Sequence, residues 1–311
     1  MNQLVPNYYH LFKCIADKCR HNCCIGWEID IDSDTAEYYK GLQAPIGEKI
    51  RSNIDFDCDC PHFVLKADDR CPFLQDDGLC EIIKNLGEQA LCDICTDHPR
   101  FRNFYENFEE MGIGLCCEEA ARVILSFNEK FSLVPLYESF PLDLTDDEKV
   151  MLEKREAVFN IILDRSFDIR KRIDKIASLY DFLVKEVYPH SLKELFLSLE
   201  RLDDGWTTLL ESIVACDDYP QILSNERYTV AFEQLLCYFV FRHFADGIND
   251  GLFCARIKLC VAATLLIASL CDLHEKTHGN VTLEDLAEIS RMFSSEVEYS
   301  QENLDTIFES I

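Results

Sequence analysis

Apolar and acidic residues alternate along Trp27-Glu28-Ile29-Asp30-Ile31-Asp32, a period of two that predicts a half-exposed strand. His62-Phe63-Val64-Leu65-Lys66 reads as a second strand, and Asp76-Asp77-Gly78 as a turn behind Cys71-Pro72-Phe73-Leu74. Short helices are expected from Ser33 to about Ser52 and from Cys80 to Leu91. Near residue 125 the period changes. Leu144-Thr145-Asp146-Asp147-Glu148 has the form of an N-terminal cap, opening a helix that runs to Asp164. Amphipathic runs then cover 169–187, 191–202, 206–216, 225–245, 253–271, 282–293 and 295–308. The fold class expected is mainly α: a small cysteine-rich N-terminal domain with short strands (1–125), followed by an all-helical bundle (126–311).

Composition narrows the class. With 48% apolar residues, eleven glycines and nine prolines, the chain is built to fold. Its net charge of −27 repels phosphates and anionic headgroups, which excludes nucleic-acid binding through a broad basic face. The same field attracts basic protein surfaces, although solubility alone is the plainer reading of the charge. The longest apolar stretch, Leu259 to Cys271, is shorter than the roughly 20 residues of a membrane span, so no membrane partner is expected. The start of the sequence has no basic, apolar pattern of a signal peptide, and a cytoplasmic, reducing location is expected.

Cysteine changes the picture most. Of seventeen, twelve lie within the first 117 residues: Cys14, Cys19, Cys23, Cys24, Cys58, Cys60, Cys71, Cys80, Cys92, Cys95, Cys116 and Cys117. A disulfide framework suits small secreted domains, whereas 311 residues can bury an ordinary core and an odd count leaves a thiol over. Thiolates bind soft metals and iron–sulfur clusters, so a metal centre is the expected use. Cys216, Cys237, Cys254, Cys260 and Cys271 fall on apolar helical faces and read as buried small hydrophobes.

The order of motifs is specific: Cys14, Cys19, Cys23-Cys24 before Gly26-Trp27; Cys71-Pro72-Phe73-Leu74 and Cys80; Gly87-Glu88; Cys95 before His98-Pro99-Arg100; and Cys117 before Arg122. Across residues 8–122 this series resembles the cysteine-rich domain of the flagellin lysine-N-methylase (FliB) family, itself similar to a wider group of zinc- or iron-chelating proteins. A fainter echo lies in Leu235–Phe244. The resemblance implies Cys19, Cys23, Cys24, Cys71, Cys80 and Cys95 as the metal-binding set, with Cys14 and Cys117 as further candidates. It also implies methyl transfer from S-adenosylmethionine to lysines of flagellin. The chain departs from the family at His98, Cys116, Glu118 and the additional Cys92.

Eight candidate thiolates exceed the four that a structural zinc site uses, which favours a [4Fe–4S] cluster with zinc as the alternative. Three cysteines spaced by three and then two residues, the radical S-adenosylmethionine pattern, are absent. Gly112-Ile113-Gly114 lacks the third glycine of a nucleotide loop and reads as a core turn. Arg100 and Arg122 are the candidates for holding the carboxylate of S-adenosylmethionine, with bracing of nearby acids as the plainer role. No catalytic residue is singled out: Tyr8, Tyr9, Glu28, Asp30 and Asp32 lie near the block, and His10, His21, His62 and His98 are possible ligands or proton carriers. The leading reading is a lysine methylase acting on flagellin. The alternatives are a non-enzymatic zinc- or iron-binding protein and a redox switch built on Cys92-x-x-Cys95.

Overall fold

A computed structural model describes residues 2–43, 45–58, 60–137 and 141–311. The chain forms two compact units, Cys14–Arg100 and a larger one that joins the first thirteen residues to Phe101–Ile311. This division differs from a cut at residue 125: the cysteine-rich unit is smaller, and residues 101–125 belong with the helices. The reason is strand pairing. The first strand, β1 (Asn2–Pro6), lies parallel to a strand from beyond residue 100, and so draws both segments into the larger unit.

In the cysteine-rich unit, α1 (Ser33–Gly41) and α2 (Pro45–Arg51) replace the single helix expected there. Pro45 sits at the first position of α2, where its missing N–H costs nothing. The hairpin strands β2 (Ile54–Asp55) and β3 (His62–Phe63) are antiparallel. Then come α3 (Glu81–Leu86) and α4 (Asp93–Asp97). Helix α3 stops at Gly87, whose φ of +86° few side chains tolerate, so the helix does not reach Leu91. Trp27–Asp32 does not form a strand, since only Asp30 bridges to His62. Its alternation nevertheless buries Ile29 and Ile31, and the predicted turn closes at Gly78 with φ +77°. The small core gathers Ile29, Ile31, Tyr39, Phe63, Phe73 and Ile82 around the buried Cys71 and Cys92.

The larger unit opens with a sheet that periodicity does not announce. Strands β4 (Arg100–Phe104), β5 (Phe108–Ile113), β1 and β6 (Leu133–Pro135) lie in the order β4-β5-β1-β6. Strand β5 is buried along its whole length, so it shows no alternation to read. Gly112 stands in this strand and not in a nucleotide loop: a Cβ there would meet the ring of Phe101 and come within 2.8 Å of Phe241. The rest is helical: α5 (Glu118–Ser126), α6 (Asp146–Ile162), α7 (Ile169–Leu179), α8 (Lys193–Ser198), α9 (Asp204–Glu211), α10 (Thr229–His243), α11 (Gly247–Asp250), α12 (Phe253–His278), α13 (Leu283–Phe293) and α14 (Gln301–Ser310).

The expected cap of α6 is present as a reciprocal pair between Thr145 and Glu148. Helix α7 ends earlier than its periodicity suggests, and Asp181 beyond it has φ +54°. Helices α5, α10, α12 and α13 pack on one another, and α10 is buried on nearly every side because it is apolar on nearly every side. At 26 residues, α12 is longer than expected and long and apolar enough to span a bilayer; 78% of its most apolar window is instead buried within the protein. Cys237, Cys260 and Cys271 are core residues as expected, but Cys216 and Cys254 are exposed. A single π turn, Ser294–Glu298, precedes α14.

Candidate metal centre

The cysteine-rich unit brings its thiols together through backbone bonds between distant loops. The Cys71 amide donates to the Cys24 carbonyl at 2.8 Å, and Ile25 bridges to Arg70. Asn22 fixes the neighbouring turn, accepting from the Cys24 amide at 2.9 Å and donating to the Gly78 carbonyl at 3.2 Å. Leu74 bridges to Cys80, which caps α3 as Cys92 caps α4. Asp32, an acid considered above for catalysis, has a structural role. Its carboxylate accepts from the amides of Thr35 and Asp93 at 2.8 and 2.9 Å, tying the starts of α1 and α4 together. Burial opposes its ionisation, but these bonds hold its carboxyl below the usual range.

The result is a group of six interacting thiols: Cys23, Cys24, Cys71, Cys80, Cys92 and Cys95. The Cys24 thiol donates to Cys23, which brings Cys23 down to about 7, and Cys95 donates to Cys92 with the same sense. Cys24 and Cys95 are correspondingly held far up by these bonds and by burial. Negative charge on Cys23, Cys71 and Cys80 adds to this at Cys24; charge on Cys92, Cys24 and Cys71 adds to it at Cys95. Burial pushes Cys71 up to about 11, against amide donation from Phe73 and Leu74. Cys80 is likewise raised by burial, against amides of Ile82 and Ile83. Amides aimed at sulfur favour the thiolate, while the thiolates repel one another; a cation bound among them would relieve that repulsion. The donor set therefore fits a soft metal ion or an iron–sulfur cluster.

Five of these six belong to the set expected from sequence. Cys92 was left outside that set as an additional cysteine, and its spacing to Cys95 was the only signal for it. Cys19 is half-buried with its thiol 3.1 Å from the His21 carbonyl, and Cys14 is exposed, accepting from the Ala16 amide at 3.4 Å. Cys117 caps α5 in the larger unit. His98 stacks on Trp27, with ring centroids 6.1 Å apart, and burial lowers it to about 4, leaving a neutral imidazole. The Trp27 indole donates to the Cys23 carbonyl at 2.8 Å, so Trp27 shapes the thiol loop.

Neither candidate for the methyl donor's carboxylate stands open. Arg122 forms a two-pronged pair with Glu119, with bonds of 2.7 and 2.5 Å, and Arg100 donates to the Thr96 carbonyl at 3.3 Å. Arg122 remains half exposed beside a surface depression of about 380 Å³ shared with Leu11, Ser126, Asn128 and Glu129. Tyr8 is fully buried between Phe127 and Phe131, and burial keeps its phenol protonated, so it is no proton acceptor at neutral pH. The Tyr9 hydroxyl lies 3.5 Å from the sulfur of Met111.

A polar network that motif reading did not find surrounds the π turn of the larger unit. Glu298, fully buried, meets Nε2 of His243 at 2.6 Å and the Tyr238 hydroxyl at 2.9 Å, while Arg242 lies 3.3 Å away. The Arg242 guanidinium also stacks on the rings of Phe101 and Tyr299, 4.7 and 4.8 Å from their centroids. Burial pushes the Cys116 thiol beside Tyr299 up to about 12. The Leu235–Phe244 echo is thus the central helix α10, whose polar members Tyr238, Arg242 and His243 converge on Glu298.

Comparison with known proteins adds a second line. The FliB lysine N-methylase C-terminal domain matches residues 183–311, within the larger unit and apart from the cysteine block. The chain is similar to the lysine-N-methylases of Salmonella typhimurium and Salmonella choleraesuis, each 29% identical over 142 residues. Those matches cover 41% of this chain and 33% of each relative, so the chain matches about a third of their length. It is also similar to the flagellar biosynthetic protein FliU of Salmonella muenchen, 30% identical over 142 residues, covering 41% of this chain and 79% of that protein. No solved structure matches.

Proposed function

We propose, for a chain that belongs to the FliB lysine N-methylase family, that it is a protein lysine N-methyltransferase built around a cysteine-ligated metal centre. The methyl donor in this reading is S-adenosylmethionine and the protein substrate is flagellin. The convergence of six thiols in one unit is the observation that carries the metal centre; the family match on residues 183–311 supports the transfer activity. Cys23, Cys24, Cys71, Cys80, Cys92 and Cys95 are the residues from which a [4Fe–4S] cluster would take its four thiolates, zinc being the alternative. Bound there, the cluster would supply a cationic, redox-capable centre that ties four loops together. The reducing cytoplasm, where such thiols persist, is the matching location.

Transfer to lysine requires a neutral amine aligned with the sulfonium methyl in a site that excludes water. The net charge of −27 favours approach of a lysine-bearing surface. For the donor, the depression beside Arg122 falls within the size range of small-molecule sites and offers a guanidinium with Glu129 nearby. Using it requires Arg122 to leave Glu119 and take the donor carboxylate.

The test is to purify the chain without oxygen, measure iron, sulfide and zinc, and incubate it with S-adenosylmethionine and flagellin under the same conditions. Stepwise mass gains of one methylene on flagellin lysines, lost on omitting the donor, are expected. A metal-replete protein that leaves flagellin unmodified, and whose melting temperature ignores the donor, would favour the metal-binding alternative.

A further inference from the structure

The β2–β3 hairpin carries donor side chains that the six-thiol group does not use. A carboxylate oxygen of Asp55, the sulfur of Cys58 and a ring nitrogen of His62 lie within 4.8 Å of one another. We propose that this hairpin is a second metal site, taking one divalent ion of the zinc class through Asp55, Cys58 and His62. It stands independently of the methylase reading.

The donor spacing suits such an ion. The Cys58 sulfur and His62 Nδ1 are 3.5 Å apart. A tetrahedral zinc with ordinary Zn–S and Zn–N bonds places such atoms about 3.5–3.6 Å apart. One thiolate, one imidazole and one carboxylate make a mixed set of the kind zinc accepts, and the three leave a fourth position for water. The other ring nitrogen of His62 faces the Glu28 carboxylate at 3.7 Å. A small inward shift of this exposed carboxylate would make it the outer hydrogen bond that orients metal-bound histidines.

The backbone holds the donors in place. Asp55 and His62 are paired partners across the hairpin, and Asp30 bridges to His62 from the other side. The Val64 amide donates to the Asn53 carbonyl at 2.9 Å, closing the ladder. Asp55 is exposed while Cys58 and His62 are half-buried, so an ion can reach the site from solvent. The plain alternative is a hydrogen-bonded turn without metal, in which the Cys58 thiol donates to the Cys60 carbonyl 2.8 Å away. Nδ1 of His62 also lies 3.2 Å from the Cys60 carbonyl. In that arrangement both groups keep their protons and share one carbonyl; metal binding replaces the two bonds, the thiolate and Nδ1 each giving the ion a lone pair.

Zinc content decides the matter. The full chain and the Cys58→Ser and His62→Gln variants are purified without oxygen, loaded with zinc, dialysed against metal-free buffer and analysed for zinc, iron and sulfide. The proposal expects each variant to hold one zinc fewer per chain than the natural protein, with unchanged iron and sulfide, and to melt below the zinc-loaded natural protein. Equal zinc in all three proteins would overturn it. So would loss of iron and sulfide along with zinc, which would make the hairpin part of the thiol centre.

Discussion

Cys71 donates its backbone amide to the carbonyl of Cys24 at 2.8 Å, so two cysteines from separate loops are held together before any metal is considered. Both side chains then face the same group of thiols. Replacing Cys71 with serine keeps this backbone bond and the approximate volume, but removes a soft ligand. The expected result is loss of most of the bound iron, or of one zinc if the centre is zinc, with the larger unit still folded. Metal analysis beside circular dichroism checks it; full metal retention would remove Cys71 from the ligand set.

Asp32 holds the start of α4, and with it Cys92 and Cys95, to the start of α1. Asp32→Ala removes a helix cap, which costs about 0.5–2 kcal/mol. Metal should leave the variant faster in a chelator competition, whereas Asp32→Asn, which keeps an acceptor oxygen, should lie nearer the natural protein. Equal release rates for all three would mean that the cap does not position the thiols.

Arg155 pairs with Glu110 where both are almost wholly buried, 3% and 0% exposed. Tyr105 donates to the same carboxylate at 2.8 Å. Arg155→Met leaves Glu110 charged or protonated without its partner, a loss of about 3–5 kcal/mol. Adding Glu110→Gln should recover part of that. Urea denaturation of the single and double variants measures it, and a single variant as stable as the natural protein would contradict the pairing.

His243 and Glu298 make stability depend on pH. Their 2.6 Å contact by itself favours a protonated imidazole, but burial outweighs it, Arg242 and Arg256 push the same way, and His243 lies below its ordinary range. We therefore take the imidazole as neutral in the folded protein near pH 7. Unfolding then takes up a proton once the pH falls below the ordinary histidine value of about 6.5, so this contribution to stability declines with falling pH. At Glu298 burial is outweighed by Arg242 and His243, which hold the carboxyl low; its contribution is present above the ordinary glutamate value and lost as pH falls through the folded one. Both slopes have the same sign. His243→Gln should flatten the decline between about pH 7.5 and 5.5 by up to about 1.4 kcal/mol per unit. Thermal melts across that range test it; parallel curves would show that His243 is not the titrating group.

The mainly α class and the Thr145–Glu148 cap were legible because helical period and capping chemistry are local. The turn at Gly78 was legible for the same reason. The sheet was not: β5 is buried along its length, and its partner β1 lies a hundred residues away. Cys216 and Cys254 show the limit from another side, since apolar neighbours in sequence did not ensure burial in space. The number and order of the cysteines are properties of the sequence by itself, and they are what raised the expectation of a metal centre. Which thiols interact was decided by tertiary structure, through amide bonds such as Cys71 to Cys24 that close loops over long separations. That is also how Cys92 joined the group, and how the imidazole of His62 came within 3.5 Å of the Cys58 sulfur. Periodicity reports the environment along one element; a ligand set is a property of distances between elements, which only the folded chain defines.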